Sequence, residues 1–341
     1  SLHDALPILI RFKGEWVCVD ARKVRDLMDR WTQAARMMSS LGIPLVQGLR
    51  MLVNGPSGQL VQIPEPDEDC VMEPGQNLRQ TLDILAGKVP VSIPELPSRL
   101  DALMRPYQKE GFSFLYRITE RGFGACLADD MGLGKTLQAI AWLDALRRKG
   151  RLEGLPALIV APASLLSNWK EEAQRFAPEL ILRIMHPSSP DPWQPENTLR
   201  RKDCHAVITT YGMAARTSAL ADLHFPAIIL DEAQAIKNAG SARSRAIRSL
   251  HGERRIALSG TPVENNLNEL WSLMEFLNPG LLGSRKSFES FTRSLERGYA
   301  PLRRLVRPFI LRRMKTDPAL VPDLPDKMEI PAYCSLTDRK S

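Results

Sequence analysis

The sequence predicts a three-layer α/β domain with a central parallel sheet, preceded by a small α+β domain. Two observations carry this. From residue 124 onward, short apolar runs rich in Ile, Val and Ala alternate with stretches of helical periodicity. Uninterrupted apolar strands set between helices belong to a parallel sheet covered on both faces. Ahead of them, Val89–Pro97 carries Pro90, Pro94 and Pro97 and reads as an extended linker. The boundaries follow as 1–88 for the first domain, 89–100 for the linker and 101–325 for the α/β domain.

Within the first domain, Ile8–Phe12 and Trp16–Val19 read as a hairpin turning at Lys13-Gly14. Val24, Leu27, Met28, Trp31, Ala35 and Met38 recur at helical spacing. A further apolar stretch, Ile43–Val53, stops at Asn54-Gly55-Pro56, a strong turn signal. An acidic loop from Pro64 to Pro74 then leads to a short helix near Asn77–Leu85.

In the α/β domain the predicted strands are Gly124–Ala128, Ala157–Ala161, Ala206–Thr210, Ala227–Leu230 and Ile256–Leu258. Helices fit Leu137–Arg148, Leu165–Phe176, Arg243–Leu250 and Leu267–Leu277. Neither an internal repeat nor a low-complexity tract is present.

With 341 residues, 44% of them hydrophobic and 25% charged, the chain has the size and composition of a globular protein of two or three domains. No apolar run reaches bilayer-spanning length, so no membrane partner is expected. Five cysteines are scattered without a Cys-x-x-Cys pair, which points to neither a disulfide framework nor a zinc site. The expected setting is the cytoplasm, in association with the nucleoid. A formal charge of +7 leans toward a polyanionic partner, although on charge alone a mildly basic surface without a partner is the better explanation.

The strongest local feature is Leu127-Ala128-Asp129-Asp130-Met131-Gly132-Leu133-Gly134-Lys135-Thr136. It follows an apolar strand and opens a helix, the context a phosphate-binding loop requires. Gly132 and Gly134 let backbone N–H groups close around phosphate oxygens. Lys135 brings a positive charge to the β- and γ-phosphates, and Thr136 offers a hydroxyl to Mg²⁺. The helix that starts here points its N-terminus at the anion. The strict phosphate-loop pattern places Gly five residues before Gly134, where this chain has Asp129.

Downstream, Ile228-Ile229-Leu230-Asp231-Glu232-Ala233-Gln234 is an apolar strand ending in two acids. Carboxylates at the C-terminal end of such a strand face the ligand crevice. Asp231 is the candidate Mg²⁺ ligand, and Glu232 the residue that polarises the attacking water. Together with the loop they read as the two halves of one ATP site.

At this point the sequence resembles the SWI/SNF-type ATPases of helicase superfamily two, in a bacterial-like form. The loop matches that family's Asp-Asp/Glu-Met-Gly-Leu-Gly-Lys-Thr version. Arg105-Pro106-Tyr107-Gln108, followed by Glu110-Gly111, looks like its adenine-reading segment. Ile159 to Trp169, with Pro162, Ser164 and Asn168, resembles motif Ia, and Thr209-Thr210-Tyr211 the next DNA-facing motif. Asp231 to Gln234, running on through Lys237-Asn238, matches motif II. Ser259-Gly260-Thr261-Pro262 looks like motif III, and Asn265 to Trp271 follows it as in the family. Pro308-Phe309-Ile310-Leu311-Arg312-Arg313 resembles the run leading toward a second lobe.

The resemblance implies a RecA-like first lobe over 101–325, the start of a second lobe at 326–341, and an accessory region before them. It implies ATP and Mg²⁺ as cofactors and double-stranded DNA, gripped by its backbone, as the partner. Lys135, Asp231 and Glu232 are the implied catalytic residues. Arg105, Gln108, Asp130, Gly132, Leu133, Gly134, Thr136 and Gln234 complete the implied nucleotide contacts, with Thr136 and Asp231 at the metal. Pro162, Ser164, Asn168, Thr210, Tyr211 and Lys237 are the implied nucleic-acid contacts, and Ser259, Gly260 and Thr261 the coupling element. The basic stretches Arg243–Arg248 and Arg303–Lys315 either line the DNA track or form a solvated face.

The chain opens at Ser1 without Met, and its C-terminal end, Cys334-Ser335-Leu336-Thr337, breaks off in mid-pattern, so a segment of a longer protein is expected. The resemblance places the arginine fingers in a second lobe, so this segment alone is expected to turn over little. Three readings remain open: a duplex-DNA translocase, a strand-separating DNA or RNA helicase, and a non-catalytic nucleotide- and DNA-binding module. The N-terminal region is expected to contact a protein partner.

Overall fold

All five apolar runs predicted as strands lie in one sheet. The computed structural model describes residues 8–12, 15–19, 76–85, 88–89, 91–189, 204–261, 267–293 and 299–317. Near the start of the chain β1 (Ile8–Phe12) and β2 (Glu15–Val19) pair antiparallel, with Phe12 opposite Glu15, which is the register of a hairpin closed by two residues. The helix expected over 24–38, the apolar stretch 43–53 and the acidic loop 64–74 lie outside the described residues. Helix α1 (Gln76–Leu85) agrees with the expected short helix. Residues 91–97 carry no regular secondary structure, and α2 (Ser98–Leu103) and α3 (Pro106–Thr119) follow.

The α/β unit then runs β3 (Ala125–Leu127), α4 (Lys135–Arg148), β4 (Ala157–Ala161), α5 (Leu166–Phe176), β5 (Leu182–Met185), β6 (Ala206–Thr210) and α6 (Tyr211–Arg216). It continues with β7 (His224–Phe225), β8 (Ile228–Leu230), α7 (Ala242–Arg248), β9 (His251–Gly252), β10 (Arg255–Leu258) and α8 (Leu267–Leu277). Helices α9 (Arg285–Arg293) and α10 (Ala300–Val306) precede β11 (Ile310–Leu311). Strands β7 and β9 form a small separate pair.

The main sheet has seven strands in the order β11-β3-β10-β8-β4-β6-β5, and every pairing is parallel. One register row runs Ile208, Ile159, Ile229, Ile256, Ala125 across neighbouring strands, and all of these are fully buried. That row explains the uninterrupted apolar runs: with both faces covered by flanking helices, the centres of the inner strands are left to apolar residues. Each buried Ile contributes about 1.5–3 kcal/mol relative to exposure.

Helix α4 is itself a core element, with Ile140, Ala141, Trp142 and Leu143 fully buried. Its Trp142 indole donates to the Thr119 hydroxyl at 3.1 Å, tying α4 to α3. Asp144 holds Arg147 and Arg148 at 3.0 and 3.1 Å in the last turn, where cations complement the helix dipole. Asn278 brackets the start of β3: its side chain accepts from the Gly124 N–H at 2.9 Å and donates to the Gly124 carbonyl at 3.1 Å.

Two strands of the main sheet, and the small β7–β9 pair, go beyond the sequence prediction. The edge strand β5 includes Arg183 and is only partly buried at its centre, so it lacks the apolar run of a central strand. β11 spans two residues, too few for any periodicity to show.

Candidate active site

The functional segments sit at the carboxyl ends of adjacent strands. The phosphate loop follows β3, Ser259 follows β10 and Asp231 follows β8, with β10 between the other two. Pro162 and Thr210 stand at the ends of β4 and β6, the next strands across. Ligands in open α/β sheets bind in this crevice.

Gly134 has φ +74, and a Cβ there would collide with Gln108 Nε2. Only glycine satisfies both the left-handed backbone and that close approach. Gln108 is buried: its Nε2 donates to the Leu133 carbonyl at 3.2 Å and its Oε1 accepts from the Arg105 N–H at 3.0 Å. Of the base-reading candidates, Arg105 is thus the N-cap of α3 and Gln108, in its first turn, clamps the helix onto the phosphate loop. Leu133 packs on Tyr107 beside them. Lys135 Nζ donates to the carbonyls of Asp129 at 2.7 Å and Asp130 at 3.3 Å, so its ammonium is held inside the loop. Thr136 follows, half-buried, in the first turn of α4.

Asp129, which departs from the strict loop pattern, is fully buried and paired with Arg313. Arg313 Nε meets Asp129 Oδ1 at 2.9 Å and Nη2 meets Oδ2 at 2.5 Å. The same guanidinium donates to Gln138 Oε1 at 2.9 Å and to the Tyr107 carbonyl, and it lies 5.2 Å from the centre of the Tyr107 ring. Gly111 makes room for this cluster, since a Cβ there would overlap Gln138 Oε1. The Asp130 N–H donates to the Arg313 carbonyl at 3.0 Å, extending the β3–β11 ladder into the loop. Asp130 commits its Oδ2 to the Lys315 N–H at 2.9 Å.

Asp231 is buried. Its Oδ2 accepts from the Trp169 indole at 2.7 Å and its Oδ1 from the Glu232 N–H at 2.9 Å. Burial pushes its carboxyl above the usual range, and the neighbouring Glu232 charge adds to that. The two hydrogen bonds and the Lys135 ammonium pull the other way. Glu232 has φ 49 and is the sole non-glycine at positive φ among the described residues, a conformation that costs of order 1–3 kcal/mol and concentrates at functional sites. Burial likewise raises the Cys126 thiol beneath the loop to about 12, with Asp129 adding to the rise, so this cysteine stays a neutral core residue.

Gln234 is half-buried and uses its amide within the lobe: Nε2 donates to Glu232 Oε2 at 2.6 Å, and Oε1 accepts from Ser259 Oγ at 3.1 Å. It links motif II to motif III rather than reaching toward a nucleotide. Ser259 also accepts from the Thr261 N–H at 3.2 Å. A Cβ on Gly260 would meet Met131 Cγ at 3.3 Å, so motif III abuts the phosphate loop. Thr261 closes the described part of that motif, and Pro262 lies outside it.

Several nucleic-acid candidates are placed differently from their sequence reading. Tyr211 is buried and donates its hydroxyl to the Asp231 carbonyl at 2.8 Å. Its ring fills the lobe and braces motif II, so it is not a surface contact. Lys237 lies 3.8 Å from Glu269, with both side chains largely covered, so its charge is already answered. Thr210 caps α6 by accepting from the Met213 N–H. Ser164 and Asn168 are exposed, Asn168 donating to Glu172 at 2.9 Å, and Pro162 is half-buried beside them. In the basic stretches, Arg248 bonds Ser272 and the Ala239 carbonyl and Arg313 pairs with Asp129, so these two are structural. Arg243, Arg303, Arg304 and Arg312 are exposed. A cavity of about 340 Å³ lies beside β5, lined by residues such as Lys170, Gln174 and Arg183, away from the loop and acids.

This arrangement defines a phosphate loop facing a paired-acid strand end. The family model described as the SNF2-related domain matches residues 107–341, and the chain belongs to that family. It is 37% identical over 343 aligned positions to "Putative ATP-dependent helicase/translocase YwqA" of Bacillus subtilis, covering 96% of this chain and 36% of that protein. It is 36% identical to "Chromatin-remodeling ATPase INO80" of Pyricularia oryzae, covering 81% of this chain and 15% of that protein. The solved SWI2/SNF2 ATPase core of Sulfolobus solfataricus in complex with dsDNA superposes with a TM-score of 0.61 at 41% identity, over 72% of this chain and 52% of that one. The fold is therefore that of the RecA-like lobe of such a core. The chain spans about a third or less of these curated relatives and about half of the solved core.

Proposed function

We propose that this chain is the nucleotide-binding lobe of an ATP-dependent motor that moves along double-stranded DNA. The observation that carries the reading is the placement of Lys135 and the Asp231–Glu232 pair at the ends of β3 and β8, either side of β10. The site fits a nucleoside triphosphate. Gly134 keeps the loop free of a Cβ, and the N-terminus of α4 faces the position of an anion. Lys135 exchanges loop carbonyls for phosphate oxygens.

The residues also fit Mg²⁺, which takes one or two protein ligands and completes its shell with phosphate and water. Asp231, its carboxylate oriented by Trp169 and the Glu232 N–H, and the Thr136 hydroxyl would hold it. Among the described residues no His, Cys, Asp and Glu cluster suffices to hold a metal by itself, which suits an ion that arrives with its nucleotide. Bound there, Mg²⁺ would supply charge that neutralises the phosphates.

Glu232, its carboxylate held by Gln234, orients the attacking water. Through Gln234 and Ser259, the state of motif II reaches motif III. Exposed Ser164 and Asn168 and the end of β6 contact DNA phosphates without reading bases. The dsDNA held by the Sulfolobus solfataricus core supports duplex over single strands for this chain. Work on the nucleoid, in the cytoplasm, and a protein partner for the N-terminal region complete the proposal.

Isothermal titration of the 341-residue chain with Mg·ATP tests it. Wild type binds and Lys135→Ala does not. In a two-lobed protein carrying this lobe, Glu232→Gln binds ATP but loses DNA-stimulated hydrolysis. Equal binding by the Lys135 variant, or normal hydrolysis by the Glu232 variant, overturns the assigned roles.

A further inference from the structure

We infer that Lys315 is a second cationic ligand for the nucleotide's phosphates, delivered to the loop by the strap that follows β11. The inference rests on the nucleotide-site reading above. Its geometry comes from three contacts. The Asp130 N–H bonds the Arg313 carbonyl at 3.0 Å, Arg313 pairs with Asp129, and the Lys315 N–H bonds Asp130 Oδ2 at 2.9 Å. Residues 313–315 are thereby fixed along the outer edge of the loop.

That registration brings the Lys315 ammonium against Gly132. A Cβ on Gly132 would stand 3.1 Å from Lys315 Nζ and 3.5 Å from its Cε, where the glycine has φ +82 and is exposed. Lys315 is itself exposed, and among the described residues no carboxylate pairs with its ammonium. The loop's own acids are already engaged: Asp129 by the Arg313 guanidinium, Asp130 by a backbone N–H. Lys135 also faces Asp231 and Arg313 is spent on Asp129, so among the described residues the Lys315 ammonium is the cation at the loop with no acid of its own to answer. A flexible ammonium with three donors suits a phosphate whose charge changes between triphosphate and diphosphate.

The test is titration of the full chain with Mg·ATP, ADP and adenosine, for wild type, Lys315→Ala, Lys315→Arg and the neighbouring exposed Arg312→Ala. Lys315→Ala is expected to weaken ATP and ADP binding about tenfold while leaving adenosine unchanged. Arg at 315 restores most of the affinity, and Arg312→Ala has no effect. The difference between wild type and Lys315→Ala shrinks at high salt, because an exposed charge is screened. Lys315→Ala binding ATP and ADP within twofold of wild type overturns this inference alone. An equal loss with Arg312→Ala also overturns it, because that outcome reports only general surface charge. A wild-type chain that binds no nucleotide overturns the site reading and this inference together.

Discussion

Arg313→Ala tests the least local feature of the site, the buried pair beneath the phosphate loop. The substitution removes two bonds to Asp129, one to Gln138 and one to the Tyr107 carbonyl, and it uncovers the Tyr107 ring. Asp129 is 0% exposed and would keep a single side-chain donor, Gln138 Nε2, at 3.4 Å. Stranding one partner of a buried ion pair costs about 3–5 kcal/mol. For a unit of this size each kcal/mol moves Tm by about 2–4 °C, so the melt should fall by about 6–20 °C. Thermal and urea unfolding of the chain, followed by circular dichroism, measure this directly. Asp129→Leu combined with Arg313→Met removes both charges together and should recover most of the stability, as paired apolar replacements commonly do. It should not recover nucleotide affinity, because the loop loses the anchor that sets its shape. A loss under about 1 kcal/mol for Arg313→Ala, the range of an exposed pair, would refute the argument.

Further consequences follow from the contacts of motif II. Trp169→Phe deletes the indole bond that favours the ionised Asp231, so the carboxyl should titrate still higher. Mg²⁺ competes with a proton for that group, and Mg·ATP affinity should therefore fall as pH drops through the raised pKa, at a higher pH in the variant than in wild type. Titrations from about pH 8 downward that superimpose would sink this. Because the folded-state pKa of Asp231 lies above its unfolded value, folding takes up a proton there. Its contribution to stability therefore declines as pH rises from the unfolded to the folded pKa. Tyr211→Phe removes one hydrogen bond to the Asp231 carbonyl and should cost about 1 kcal/mol while leaving duplex-DNA affinity unchanged. A selective loss of DNA binding with stability intact would restore Tyr211 to the surface role its motif suggests.

The parts of the site that are legible in the sequence are those whose chemistry needs consecutive residues. A phosphate loop is built from neighbouring backbone N–H groups, so Gly132 to Thr136 announce it. The acids after Ile228–Leu230 are announced by the strand that delivers them. The partners that orient these groups are not legible, because they are remote in the chain. Arg313 stands 184 positions from Asp129, and Trp169 stands 62 from Asp231. A signal for Arg313 is nevertheless present: a carboxylate following an apolar strand, where the strict loop has glycine, has to be paired if buried. Trp169 reads as core from its apolar ring, and core it is, but its one N–H is aimed at the metal-binding candidate. Tyr211 and Lys237 mislead for the converse reason. The resemblance to DNA-facing motifs implies surface contacts for both, whereas here both side chains answer groups within the lobe.

These remote contacts give the loop a specific mechanical setting. Gln108 holds it from the α3 side through the Leu133 carbonyl, and the 313–315 strap holds it from the β11 side through Asp129 and Asp130. Lys135 donates to the carbonyls of those same two acids. Turning the Lys135 ammonium toward a phosphate removes a donor from both carbonyls, and the strap is the remaining element bonded to both residues. A change at the phosphates must then be borne in part by residues 313–315. Motif III senses the other side of the loop through the Met131–Gly260 contact and the acids through Gln234 and Ser259. The loop thus has two physical connections out of the site, the strap on one side and motif III on the other, and motif III also reaches the acids. Substitutions at Arg313 and at Ser259 meet at the loop, so their effects on nucleotide affinity should depart from additivity, and a double-mutant cycle that sums within about 0.5 kcal/mol would refute this.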